Sequence, residues 1–88
     1  MNRSANVWEA IGETDNFRIR SQLMRALNRE IVSWDMSQKY AAARLLLTQP
    51  RLSELVNGKI DKFSLDALVN LLPLAGLEME VTVRERAR

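Results

Sequence analysis

Apolar residues recur at helical spacing in the first half of the chain. Ile19, Leu23, Leu27, Ile31 and Trp34 follow one another at intervals of three or four positions, which is the pattern of one face of an amphipathic helix. We therefore predict a long helix over residues 17–34. Its opposite face is basic and consists of Arg18, Gln22, Arg25 and Arg29. This face is either solvated or a contact for DNA or a partner protein.

Three short helices follow, each marked at its start by a hydroxyl residue directly after an apolar one. The pairs are Met36-Ser37, Leu47-Thr48 and Phe63-Ser64. A hydroxyl oxygen at this position accepts a hydrogen bond from a free backbone N–H of the first turn. Asn57-Gly58 should end the second of these helices, and Pro73 should kink or end the third near Leu72.

The polarity pattern changes its period after Gly76. Leu77, Met79, Val81 and Val83 alternate strictly with polar residues, which is typical of a strand with one buried face. We therefore predict a β-strand over residues 77–84. A lone strand needs a partner for its backbone groups, and the economical partner is the same strand of a second chain. The alternatives are pairing with the amino-terminal arm or a frayed tail.

The length of the chain indicates one domain. Its 88 residues divide into an amino-terminal arm (1–16), a helical core (17–75) and the strand (77–84). Within the arm, residues 6–12 predict a single helical turn, in which Trp8 packs on the core or on a dimer partner. The net charge of +2 permits binding to a polyanion without establishing it.

The composition excludes several kinds of chemistry. The chain contains neither Cys nor His, so it lacks disulfides, thiolate metal ligands and the commonest general base. We expect no enzymatic activity, metal, cofactor or small-molecule ligand. No apolar stretch approaches the ~20 residues of a membrane span, and the first residues lack the apolar core of a signal peptide. The sequence thus predicts a cytoplasmic protein without membrane contact.

The helices that begin at Ser37 and Thr48 are joined by a short turn at Leu46-Leu47. Two helices joined so closely cross steeply, which leaves the second one free to enter a major groove. We therefore predict a helix-turn-helix over residues 38–58, with a recognition helix that begins at Thr48. If Leu52 and Leu55 point inward, the residues that face the groove are Gln49, Pro50, Arg51, Ser53 and Glu54.

The side chains in this motif suggest specific contacts with DNA. Gln49 suits the N6 and N7 edge of adenine, and Arg51 suits the O6 and N7 edge of guanine. Glu54 either accepts from cytosine N4, remains a surface charge or pairs with a Lys or Arg. Contacts with DNA phosphates are predicted for the residues at helix starts and in the following loop: Ser37, Gln38, Thr48, Asn57, Lys59 and Lys62. Each of these would look the same as ordinary exposed surface.

Residues 37–58 resemble the Xre family of phage Cro and repressor domains. In that family a Gln opens the first motif helix and Asn-Gly ends the second, as Gln38 and Asn57-Gly58 do here. Residues 48–53 and 63–68 resemble the HigA-like antitoxin branch more narrowly. The resemblance implies a mainly α, Cro/repressor-like domain of four to five helices with one carboxy-terminal strand, paired across a dimer. Leu46 stands where the family usually has Gly, at a strain of about 1 kcal/mol.

The resemblance also implies a function. It indicates a homodimeric transcriptional regulator that binds a palindromic operator in double-stranded DNA and, in the HigA-like branch, an autorepressing antitoxin of a HigB-like ribonuclease toxin. An orphan phage-type repressor without a toxin is one alternative. The other alternative is a protein-interaction module that has lost DNA binding.

Overall fold

A computed structural model describes residues 12–85 of the chain. These residues form four α-helices, which are α1 (Glu13–Trp34), α2 (Gln38–Arg44), α3 (Gln49–Val56) and α4 (Leu65–Leu71). Two 3₁₀ turns, Ile60–Lys62 and Pro73–Ala75, precede and follow α4. Trp8 and almost all of the helical turn predicted at residues 6–12 lie outside the described residues.

The long helix begins four residues earlier than predicted. Glu13 and Asp15 lie in the first turn of α1, where carboxylates interact favourably with the positive end of the helix dipole. Its buried residues are Leu23, Met24 and Leu27, and the predicted basic face is exposed to solvent. The polar residues at positions 13–16 therefore extend the helix beyond its apolar pattern.

The three short helices begin where the sequence predicts them. Ser37, Thr48 and Ser64 are the N-cap residues, and each hydroxyl oxygen accepts from the N–H three residues later, at 3.4, 3.2 and 3.0 Å. Gly58 and Gly76 have positive φ values of 72° and 76°, as expected for residues that end a helical segment. Hydroxyl caps thus set the starts of the three helices, and left-handed glycines follow the end of α3 and the end of the 3₁₀ turn after α4.

A single apolar core joins the four helices. α1 packs against α3 and α4, and α2 packs against α3. The largest fully buried side chains are Phe63, Leu27, Leu45, Leu52, Leu55 and Leu68. α3 contributes two of these leucines, so its rotation about its own axis is fixed by the core.

The predicted carboxy-terminal strand is wrong, although the mainly α helix-turn-helix class is confirmed. Residues 77–85 have no regular secondary structure, and none of the residues 12–85 is in a strand. Leu77 and Met79 pack against the core, whereas Val81 and Val83 are 66% and 88% exposed. A helical core offers no sheet edge on which a strand could form its hydrogen bonds. The described residues therefore contain no strand of the kind that was predicted to pair across a dimer through Leu77, Met79, Val81 and Val83.

The turn between α2 and α3 contains a strained leucine. Leu46 has φ 58°, and its side chain is 78% exposed. The turn is closed by a hydrogen bond from the N–H of Leu47 to the carbonyl of Ala42, at 2.8 Å. A left-handed non-glycine residue costs of order 1 kcal/mol, and this side chain recovers little of that cost by burial.

Leu46→Gly should therefore stabilise the protein. Glycine relieves a left-handed strain of about 1 kcal/mol but loses at least about 0.5 kcal/mol more in backbone entropy on folding, so the net gain should be at most about 0.5 kcal/mol. Urea unfolding measures this change. Leu46→Ala is the matched control, because it removes the same exposed side chain but keeps the Cβ atom that causes the strain. If Leu46→Gly were instead less stable than Leu46→Ala, only the entropy cost of glycine would remain, and the strain at this turn would be contradicted.

Candidate nucleic-acid interface

The buried side of α3 determines which of its residues face the solvent. Leu52 and Leu55 are 0% exposed, as the sequence predicts for the inward residues of this helix. Gln49 and Pro50 lie in the first turn and are exposed, and Ser53 is partly exposed one turn later. A polar face that begins at the start of α3 is therefore open to solvent.

Two of the three phosphate contacts predicted at helix starts, Ser37 and Thr48, are hydroxyl residues that already act as helix caps. The oxygens of Ser37 and Thr48 accept backbone N–H bonds, at 3.4 and 3.2 Å. A hydroxyl that accepts in this way keeps its own proton, so it can still donate to a phosphate oxygen. Gln38 is the first residue of α2 and its side chain is exposed.

Residues 57–63, which we name the basic loop, follow α3. Lys59 and Lys62 are exposed in this loop, and neither forms a salt bridge within the described residues. The amide nitrogen of Asn57 donates to the carbonyl and the hydroxyl of Ser53, at 2.8 and 3.1 Å. The Asn57 side chain is thus folded back on α3, whereas the two lysines point positive charge at solvent.

Arg51 is more constrained than a free base-reading side chain. Its guanidinium lies 3.9 Å from the centre of the Phe63 ring and donates to Glu54 Oε1 at 3.0 Å and to the carbonyl of Lys62 at 2.6 Å. The Arg51 side chain is 35% exposed. Glu54 accordingly has the arginine partner that was one of its three sequence interpretations.

Arg20 belongs to this region but was missed by the sequence interpretation. It lies on α1, and its guanidinium donates to the carbonyls of Ile60 and Phe63 at 3.1 and 3.3 Å. Its Nε donates to Asn16 Oδ1 at 2.6 Å. The available signal was its position, because Arg20 precedes the buried Met24 and Leu27 by four and seven residues and so shares their side of the helix.

Asn28 is a second residue that the sequence interpretation missed. Its amide nitrogen, on α1, donates at 3.0 Å to the carbonyl of Leu55 near the end of α3. Its Oδ1 is buried and has no hydrogen-bond partner within the described residues. The carbonyl of Leu55 also accepts from the N–H of Gly58 at 3.1 Å, so Asn28 is its second donor and connects α3 to the long helix.

Two kinds of site are absent from the described part of the chain. Residues 12–85 contain no group of three or more acidic residues placed to hold a metal ion. No helix within this range is both long and apolar enough to cross a membrane.

Comparisons with known proteins agree with this architecture. Residues 9–84 match the family described as "Helix-turn-helix domain". A solved structure described as a "Putative XRE Family Transcriptional Regulator" is 34% identical, with a TM-score of 0.78 over 88% of this chain and 86% of that chain. The curated proteins give no match.

Proposed function

Because the chain belongs to the family of helix-turn-helix domains and is of the XRE type, we propose that it is a sequence-specific DNA-binding transcriptional regulator. One observation carries the proposal. The polar start of α3 is exposed while Leu52 and Leu55 hold its other side in the core, and the basic loop adjoins its end. This arrangement fits a helix inserted into a major groove with lysines beside it on the DNA backbone.

Gln49 is our leading candidate for a base contact. It is exposed in the first turn of α3, and a glutamine side chain can pair with both N6 and N7 of adenine. Pro50 beside it offers an apolar surface to a thymine methyl, and Ser53 can donate or accept one turn later. Glu54 would have to leave Arg51 before it could accept from cytosine N4.

The backbone contacts come from two sides of α3 in this proposal. Ser37, Gln38 and Thr48 supply hydroxyl and amide donors at the helix starts. Lys59 and Lys62 supply charge from the basic loop, and the Asn57 amide would contribute only by giving up a bond to Ser53. Such contacts fix the position of the protein on the duplex without reading its sequence.

A homodimer on a palindromic operator extends the proposal. α3 has only 8 residues, so one copy can contact only a few base pairs. Two copies related by a two-fold axis would read two half-sites about one helical turn, or roughly 34 Å, apart. Selection of bound sites from random DNA distinguishes a palindromic operator from a single half-site.

The finer proposal is an antitoxin that represses its own operon in the cytoplasm. The similarity of residues 48–53 and 63–68 to the HigA-like branch supports it. An adjacent reading frame for a small basic ribonuclease, with toxicity that co-expression of this protein suppresses, would distinguish the antitoxin from an orphan repressor.

Gln49→Ala should relax the base preference at one position. Site selection with wild-type protein defines the operator, and a titration then measures the loss, expected to be about 1–3 kcal/mol for the adenine-containing site. Gln22→Ala is the matched control, because it removes an exposed glutamine from α1 instead. No enriched site for the wild-type protein would contradict the proposed function and favour an interaction module. An enriched site read equally well by the variant would contradict the role of Gln49.

Lys59→Ala should weaken binding to every DNA sequence to a similar extent. A lysine on a phosphate releases counterions, so its loss should reduce the slope of log K against log salt by about 1. Arg29→Ala removes the same charge from the exposed face of α1 and should leave the slope unchanged. Equal slopes for wild type and Lys59→Ala would place the basic loop away from the DNA.

A further inference from the structure

The basic loop is held by two arginines that come from different helices. Arg20 of α1 donates to the carbonyls of Ile60 and Phe63, and Arg51 of α3 donates to the carbonyl of Lys62. Three of the loop's seven carbonyls therefore accept from a guanidinium. The loop's own hydrogen bonds are short-range, such as Lys62 N–H to the carbonyl of Lys59 at 2.9 Å. Besides the Asn57 amide, which bonds back to Ser53, the arginines supply the side-chain hydrogen bonds that connect the loop to α1 and α3.

The contacts of Arg51 suit a structural role better than base reading. The central carbon of its guanidinium lies over the ring of Phe63, a residue that is only 2% exposed, and one guanidinium nitrogen donates to both Lys62 and Glu54. Reaching a guanine edge would require Arg51 to give up the stack and both hydrogen bonds. Each charge-assisted bond that is broken would subtract from the affinity gained at the base.

Arg20 makes the same kind of contact with the loop, although it does not lie on α3 and so cannot read bases from that helix. It lies on a different helix, is partly buried and ends on the same loop. A loop that is ordered before binding loses less conformational entropy when its lysines meet phosphates. The two arginines therefore act on the position of Lys59 and Lys62.

We propose that Arg20 and Arg51 form a brace that pre-orders the basic loop, so that both are positioning residues for phosphate contacts and Arg51 does not read a base. The role in DNA binding rests on the proposed function, whereas the brace itself is a property of the free protein. Lysine cannot replace either arginine, because its ammonium lacks the planar group that Arg51 places over Phe63 and the second donor nitrogen with which Arg20 also bonds Asn16.

The test uses the full chain with Arg20→Lys and Arg51→Lys, which keep the charge. Arg44→Lys is the matched control, because Arg44 also stacks on an aromatic ring, at 4.0 Å from the centre of Trp34, but lies outside the loop. Amide hydrogen exchange of the free protein should become faster at Lys62 and Phe63 in both brace variants and stay unchanged in the control. Unchanged exchange rates at these amides in either brace variant would contradict the proposal that the arginines order the loop, regardless of what the protein binds.

The second measurement compares affinity for the selected operator with affinity for a scrambled duplex. Both brace variants should lose about three- to tenfold for the two DNAs alike, with the same base preference as wild type. Loss of preference at a single base pair in Arg51→Lys, with normal affinity in Arg20→Lys, would make Arg51 a base reader and overturn the proposal. Absence of selective DNA binding by the wild type would instead contradict the proposed function, and the exchange data would still decide whether the brace exists.

Discussion

The burial of Leu52 and Leu55 is the constraint on which the other features of the site depend. Both side chains are completely buried, and each contributes about 1.5–3 kcal/mol by leaving water. A rotation of α3 that exposed both would cost about 3–6 kcal/mol, which is a large part of the total stability of about 5–15 kcal/mol typical of a domain. The outward direction of Gln49 and Ser53 is therefore a consequence of core packing. The Thr48 cap and Gly58 then fix where this oriented helix begins and ends.

Hydrogen bonds from α1 and α3 also fix the position of the segment that follows α3. Asn28 holds the carbonyl of Leu55, and Arg20 and Arg51 hold carbonyls of the basic loop. In the proposed function, Gln49 reads the groove while Lys59 and Lys62 meet the backbone. These two kinds of contact have a fixed relative position only because one core supports both α3 and the loop.

Local signals made most of the fold predictable from the sequence. The caps at Ser37, Thr48 and Ser64 depend on residues within one helical turn, so the sequence contains all the information needed to place them. The alternation after Gly76 led to a wrong prediction because it indicates only that one side of the segment is buried. Leu77 and Met79 are partly buried by packing against the helical core, without forming a strand. A strand also needs a hydrogen-bonding partner, which is a non-local condition that periodicity does not test.

The candidate site was predictable in outline but not in its internal contacts. The position of Arg51 on α3 was clear, yet its stack on Phe63 joins residues twelve positions apart on separate elements. Arg20 requires even longer-range information, because its acceptors lie 40 and 43 residues away. Side-chain roles that depend on such pairs become visible only when the helices are packed together.

Backbone amide chemical shifts of the full chain, recorded with and without the selected operator, show which face of the protein contacts DNA. If the outer face of α3 enters the groove, the largest changes should fall on Gln49, Ser53 and Lys59, with small changes on the basic face of α1. Changes concentrated at Arg18, Gln22, Arg25 and Arg29 would contradict this arrangement, because DNA would then bind to α1 rather than to the outer face of α3.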